Sequence, residues 1–134
     1  MIDTTTRDVI SVWMGTSNKP MDEFNQYTEG MESPNSGCPA HKDFGVHFID
    51  SDFFGYYMTQ DNKIIPIEEL VNEVGTSSRK TDQEIIKKAK GMGVTEGNSL
   101  YYYVGATFHE EEPGKLYNDL RFIGTFSDPW KKYR

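Results

Sequence analysis

Apolar and polar positions alternate most clearly at two places in the chain. Over residues 8–15, Ile10, Val12 and Met14 fall on one face, and Val9, Ser11 and Trp13 on the other. This period of two predicts a first strand. Over 99–108, Leu100, Tyr102, Val104, Ala106 and Phe108 share a face opposite Tyr101, Tyr103, Gly105 and Thr107. Residues 116–126 alternate as well, with Leu120, Phe122, Gly124 and Phe126 set against Asp119, Arg121, Ile123 and Thr125. The acidic connection 110–114 then predicts that these last two strands form an antiparallel hairpin. A further strand is expected over 44–49, with Phe44, Val46 and Phe48 facing one way. It is interrupted by Asp50-Ser51-Asp52 and continued as a bent strand over 53–58.

Helical spacing appears three times. Met21, Phe24, Tyr27 and Met31 form a rough stripe, capped by Ser17 or Asn18, with Pro20 in the first turn and Gly30 as the stop. Ile67, Leu70, Val71 and Val74 follow the i, i+3, i+4, i+7 pattern between Pro66 and Gly75. The capping-box pattern Thr81-Asp82-Gln83-Glu84 opens a third helix, whose buried face is Ile85, Ile86, Ala89 and Met92. Residues 32–40 hold two prolines and a glycine and read as a loop. The order is β-α-β-(β)-α-α-β-β. It predicts an α+β fold with a mostly antiparallel sheet and about three helices packed to one side.

The 134 residues fit a single domain, with a core over about 8–126 and a basic aromatic tail over 127–134. One cysteine, Cys38, excludes an internal disulfide. No basic n-region precedes an apolar stretch at the N-terminus, and no apolar run approaches the length that spans a bilayer. A cytoplasmic protein without a membrane partner is expected. The net charge of −7 is uneven: residues 1–78 carry 13 acidic against 4 basic side chains, and 79–134 carry 8 against 10. Such a field disfavours nucleic acid and favours basic partners. Eight tyrosines and eight phenylalanines exclude a mainly disordered chain.

Candidate chemistry is sparse. Cys38, His41, His47, Asp50 and Asp52 mix soft and hard metal ligands at short spacing but lack the repeated pairs of a zinc site. The competing reading is a strand end whose aspartates bond local backbone in an Asx-turn. A Cys38/His41 or Cys38/His47 nucleophile pair has no helix start or elbow to activate the thiol. His109 beside Glu110 sits at a predicted hairpin tip, where simple solvation is expected. Gly91-Met92-Gly93 follows a helix, whereas phosphate-binding loops precede one. The tail Trp130-Lys131-Lys132-Tyr133-Arg134 is too short to make nucleic acid a partner of so acidic a chain. Tyr101 and Tyr103 form an exposed, interface-forming strip if no helix covers their face, and core if one does. Trp13 reads as core.

The strand ending Trp13-Met14-Gly15, the helix with Phe24 and Tyr27, the block Asp43-Phe44-Gly45 to Ile49-Asp50-Ser51-Asp52-Phe53, and the close Leu120-Arg121-Phe122-Ile123-Gly124-Thr125-Phe126 carry a resemblance. Together they are similar to the immunity protein 22 family of bacterial polymorphic-toxin systems, long carried as a domain of unknown function, over about 9–126. The resemblance implies an antidote, not an enzyme and without a cofactor, that binds and neutralises a cognate toxin encoded beside it. A basic toxin, such as a nuclease, would suit the acidic patch. Partner-binding candidates are then Asp43, Asp50, Asp52, Tyr56, Tyr57, Tyr101 and Tyr103. Two other classes stay open: a metal-dependent enzyme using His41, His47, Asp50 and Asp52, and a self-associating domain using the Tyr101/Tyr103 face. Bound metal would mark the first, and a concentration-dependent mass the second.

Overall fold

The computed structural model describes residues 1–129. Its elements, in chain order, are β1 (Ile2–Asp3), β2 (Val9–Gly15), α1 (Met21–Gln26), α2 (Pro39–Phe44), β3 (Phe54–Met58), β4 (Ile65–Pro66), α3 (Ile67–Leu70), α4 (Arg79–Gly91), β5 (Glu96–Gly97), β6 (Ser99–Val104), β7 (Thr107–Phe108), β8 (Leu116–Tyr117) and β9 (Leu120–Ser127). Strand β2 is central because both its faces are apolar. Ile10, Val12 and Met14 on one side and Trp13 on the other are fully buried. The main sheet runs β3-β6-β2-β9-β8, antiparallel throughout, with the short ribbons β1-β7 and β4-β5 beside it. The fold is α+β, as the sequence pattern predicts.

Each face of the sheet carries its own core. On one side Trp13 packs against Phe44, Phe108 and Phe122 at ring separations of 4.9, 5.5 and 5.3 Å, joined by Phe24, Tyr27, Tyr101 and Tyr103. On the other, Ile10, Val12, Met14, Leu100 and Ile123 meet Ile67, Leu70, Ile85 and Ala89. Helices α1 and α2 therefore cover one face and α3 and α4 the other, rather than three helices covering one side.

Several local expectations change. Residues 44–49 are not a strand. Pro39 opens α2, and Gly45 (φ 71°) closes it, its N–H donating to the His41 carbonyl at 2.9 Å. This is the proline-first, glycine-last frame of a helix, and it outweighs the alternation of Phe44, Val46 and Phe48. The last two long strands do not form a hairpin, because β2 lies between them and pairs with both. The hairpin that does form joins β8 to β9 through Asn118 and Asp119, both at positive φ, as a two-residue primed turn requires. The strand predicted over 99–108 breaks at Gly105 (φ 76°), which turns Ala106 and Phe108 into the same core as Tyr101 and Tyr103. The cap of α4 is Ser78, not Thr81. The Ser78 hydroxyl accepts the Thr81 N–H at 3.2 Å.

The first helix is also shorter than its stripe, and its N-cap position is Pro20. Ser17 instead donates its hydroxyl to Asp119 at 2.9 Å. In β9, the register shifts opposite Val12 and Trp13. Phe122 therefore faces the Trp13 core and Phe126 the opposite one, not a shared face. Residues 130–134, most of the predicted basic tail, lie outside the described residues.

Candidate partner-binding surface

The acidic turn between α2 and β3 is built by the chain on both sides of it. Ile49 is fully buried and its N–H donates to the Met31 carbonyl at 2.9 Å, which pins the loop to the core. The Asp50 N–H donates to the Tyr103 hydroxyl at 3.1 Å. Asp50 Oδ1 accepts the Asp52 N–H at 3.0 Å, an Asx-turn, while the Asp50 carbonyl accepts the N–H groups of Phe53 and Phe54, each at 3.0 Å. Ser51 gives its N–H and its hydroxyl to Glu32 Oε2 at 3.0 and 2.9 Å. Those two bonds hold the Glu32 carboxyl below its ordinary pKa.

Phe48 and Phe53, 48 % and 51 % exposed, flank this turn. With Arg7, Asp8, Asp50 and Val104 they line an open groove of about 570 Å³. Asp52 is exposed and Asp50 half-buried. The arrangement offers two aromatic faces and free carboxylate oxygens on a backbone already fixed by hydrogen bonds. Exposed rings beside free carboxylates are features that protein contacts use.

The other candidates are placed differently. The Asp43 carboxylate is engaged within the chain, accepting from the Tyr27 hydroxyl at 2.6 Å and from Lys115 Nζ at 3.0 Å. Tyr56 is half exposed, on the Phe24 side of β3 with a ring separation of 6.4 Å. Tyr57 packs on the opposite core. Tyr101 and Tyr103 are 1 % and 3 % exposed: Tyr101 packs against Phe24 and Tyr27, and Tyr103 against Phe54 and the turn at Asp50. Tyr101 stacks on Phe24 at 5.2 Å and its hydroxyl accepts from Asn118 at 2.8 Å. Tyr103 serves as a prop under Asp50. Burial keeps both out of an exposed strip, although Tyr103 is among the residues that line the groove.

The mixed metal cluster is not assembled. Cys38 and His41 are buried, and His41 Nε2 lies 2.8 Å from the Met31 carbonyl, whereas His47 and Asp52 point to solvent. Among the described residues no group of three or more His, Cys, Asp or Glu side chains is arranged to hold a metal ion. His109 is exposed beside a second, smaller cavity of about 230 Å³ with Lys42, Asp43 and Glu111.

Sequence reasoning missed Phe48, Phe53 and Asp8. The first two were readable only as large apolar side chains in a segment lacking a partner strand.

These features describe a small α+β domain with exposed aromatic and carboxylate side chains at the 48–53 turn. The family model named Immunity protein 22 matches residues 10–127, and the chain belongs to that family, which gives it an immunity role toward a toxin. No curated protein and no solved structure matches. Among the described residues, no helix is long and apolar enough to cross a membrane.

Proposed function

We propose that this chain is a cytoplasmic, non-catalytic antidote. It binds a basic toxin, of which a nuclease is the type best suited, and blocks it through the turn at 50–53. The observation that carries this reading is the pair of half-exposed rings, Phe48 and Phe53, set around Asp50 and Asp52 on a hydrogen-bonded turn. Anchoring rings supply the buried contact, and carboxylates pair with toxin lysine or arginine and speed the encounter.

The test is co-purification with the product of the adjacent gene, together with growth when that gene is expressed with and without this one. Asp50 is replaced by Asn, because Asn keeps the acceptor that Asp52 uses, and Asp52 is replaced by Ala. The double variant is expected to bind the toxin about ten-fold more weakly, with a smaller dependence on salt and an unchanged unfolding midpoint. Unchanged affinity removes the acidic turn from the mechanism. No toxicity and no complex reject the antidote reading for that partner.

A further inference from the structure

The groove beside the acidic turn has a second wall, which the strand pairing explains. Asp3 pairs with Thr107, and the Gly105 N–H donates to the Val9 carbonyl at 2.8 Å. Residues 4–8 therefore stand opposite Ala106 alone and bulge out of the sheet as an exposed loop. Asp8 ends this loop at positive φ (59°), its carbonyl accepting the Asp128 N–H at 2.7 Å. Loop 4–8 and the 48–53 turn both line the groove, and Tyr103, Gly105 and Asp128 reach it from the sheet.

Three carboxylates, of Asp8, Asp50 and Asp128, thus border one space against a single cation, Arg7. Each is fixed in place. Asp8 is held by its carbonyl bond, Asp50 by the Tyr103 hydroxyl and the Asp52 N–H, and Asp128 by Ser77 and Thr81. Among the described residues none of the three forms an ion pair, with Arg7 or with any other cation. Like charges fixed around a concave space concentrate a negative field there, which a bound cation relieves. The placement of the carboxylates also selects the cation. Among the described residues no three His, Cys, Asp or Glu side chains converge as a metal ion requires. A compact charge does not reach acceptors spread along a groove, whereas a guanidinium offers five N–H donors in one plane. Phe48 and Phe53, half exposed at the same groove, give that plane a surface to stack on and an alkyl stem a surface to pack on.

We propose that the groove receives one arginine side chain of the toxin, its guanidinium between Asp8 and Asp50 and its stem against Phe48 and Phe53. Buried Asp128 adds to the field without supplying a free oxygen. The space of about 570 Å³ also takes part of the backbone that carries the arginine. The proposal rests on the antidote reading for the owner of that arginine, and it makes loop 4–8 the second half of the contact.

The experiment separates the groove from its partner. The isotope-labelled full chain is titrated by NMR with N-acetyl-arginine amide, N-acetyl-lysine amide and N-acetyl-glutamate amide, each to about 50 mM at constant ionic strength. Saturable shifts are expected at the amides of Asp8, Phe53 and Gly105, with the arginine probe at least about three-fold tighter than the lysine probe. Asp8→Asn, which tolerates positive φ and keeps the carbonyl bond, is expected to weaken the arginine probe about five-fold, and Phe53→Ala about three-fold. Glu73→Gln, outside the groove, is expected to change nothing. No saturation, equal affinity for the lysine probe, or an Asp8→Asn variant that binds as the wild type does overturns the proposal. So does saturable glutamate binding that is lost in Arg7→Gln, which assigns the groove to an anion. Arginine binding by a chain that forms no complex with the product of the adjacent gene upholds the groove and rejects the antidote reading for that partner. A toxin complex untouched by Asp8→Asn but weakened by the changes at Asp50 and Asp52 upholds the antidote and overturns the arginine groove.

Discussion

At the scale of single residues, Asp128 is a side chain whose importance its position in the sequence conceals. Asp128-Pro129 reads as the end of an alternating pattern, yet the Asp128 carboxylate is 4 % exposed. It accepts the Ser77 N–H at 2.9 Å, the Ser77 hydroxyl at 2.7 Å and the Thr81 hydroxyl at 2.8 Å, tying the end of β9 to the start of α4. Replacement by alanine leaves the Ser77 N–H without its acceptor, while the Ser77 and Thr81 hydroxyls keep only the longer bonds to the Pro129 and Ser127 carbonyls, at 3.0 and 3.1 Å. Asp128→Ala is expected to destabilise the fold by about 2–3 kcal/mol. The check is a urea titration, with a lower midpoint at an unchanged slope. A shift within experimental error would mean that the carboxylate only decorates the helix start. A similar concealment applies at the candidate surface. Asp50 and Asp52 are legible as a break in pattern, and the Asx-turn follows from their chemistry. The exposure of Phe48 and Phe53 was not legible, because alternation alone assigns Phe48 inward with Phe44.

At the scale of elements, what a period can report was reported and what needs a partner was not. Strand β2, the last helix and the pattern of β6 follow from local alternation and spacing, which the sequence carries directly. Which strands are neighbours depends on chain reversal over long separations. The central position of β2 between β6 and β9 therefore contradicts the simplest reading, that consecutive strands pair. The fate of Tyr101 and Tyr103 has the same cause. Their face is core only because Phe24 and Tyr27 return over Tyr101, and Phe54 and the turn at Asp50 over Tyr103. The start of α4 is a milder case. Thr81 and Glu84 form an apparent capping box, but Ser78, three residues earlier, supplies the cap. Thr81 is instead occupied by Asp128 and the Ser127 carbonyl. Ser78→Ala is therefore expected to cost about 1 kcal/mol. Glu84→Ala, at an exposed position, should change stability by less than about 0.5 kcal/mol. Thermal unfolding of the two variants side by side checks this, and the reverse order would restore the box at Thr81.

At the scale of the whole molecule, two cores share one sheet, and the more aromatic of them is rich in tyrosine. Four of those phenols are set against ionisation, Tyr103 by burial and the other three more strongly. Burial pushes Tyr27 up from its ordinary 10.0, and its hydrogen bond to the Asp43 carboxylate pushes it further. Burial also raises Tyr101, against an opposing bond from Asn118. Burial raises Tyr117, and so does its bond to Glu110. The consequence for stability has a definite sign. Below about pH 10 these phenols keep their protons in both the folded and unfolded states, and their contribution is complete. Above that, the unfolded chain releases protons that the folded one retains, so stability falls as pH rises, by up to about 1.4 kcal/mol per pH unit for each phenol so held. Tyr27→Phe removes one such group together with its bond to Asp43. It is expected to be less stable than the wild type at pH 8 but to lose stability more slowly between pH 10 and pH 12. Urea midpoints measured across that range on both proteins decide the matter. Parallel curves would place the alkaline loss in lysine neutralisation or in the other tyrosines, and would leave the Tyr27–Asp43 contact without a share in it.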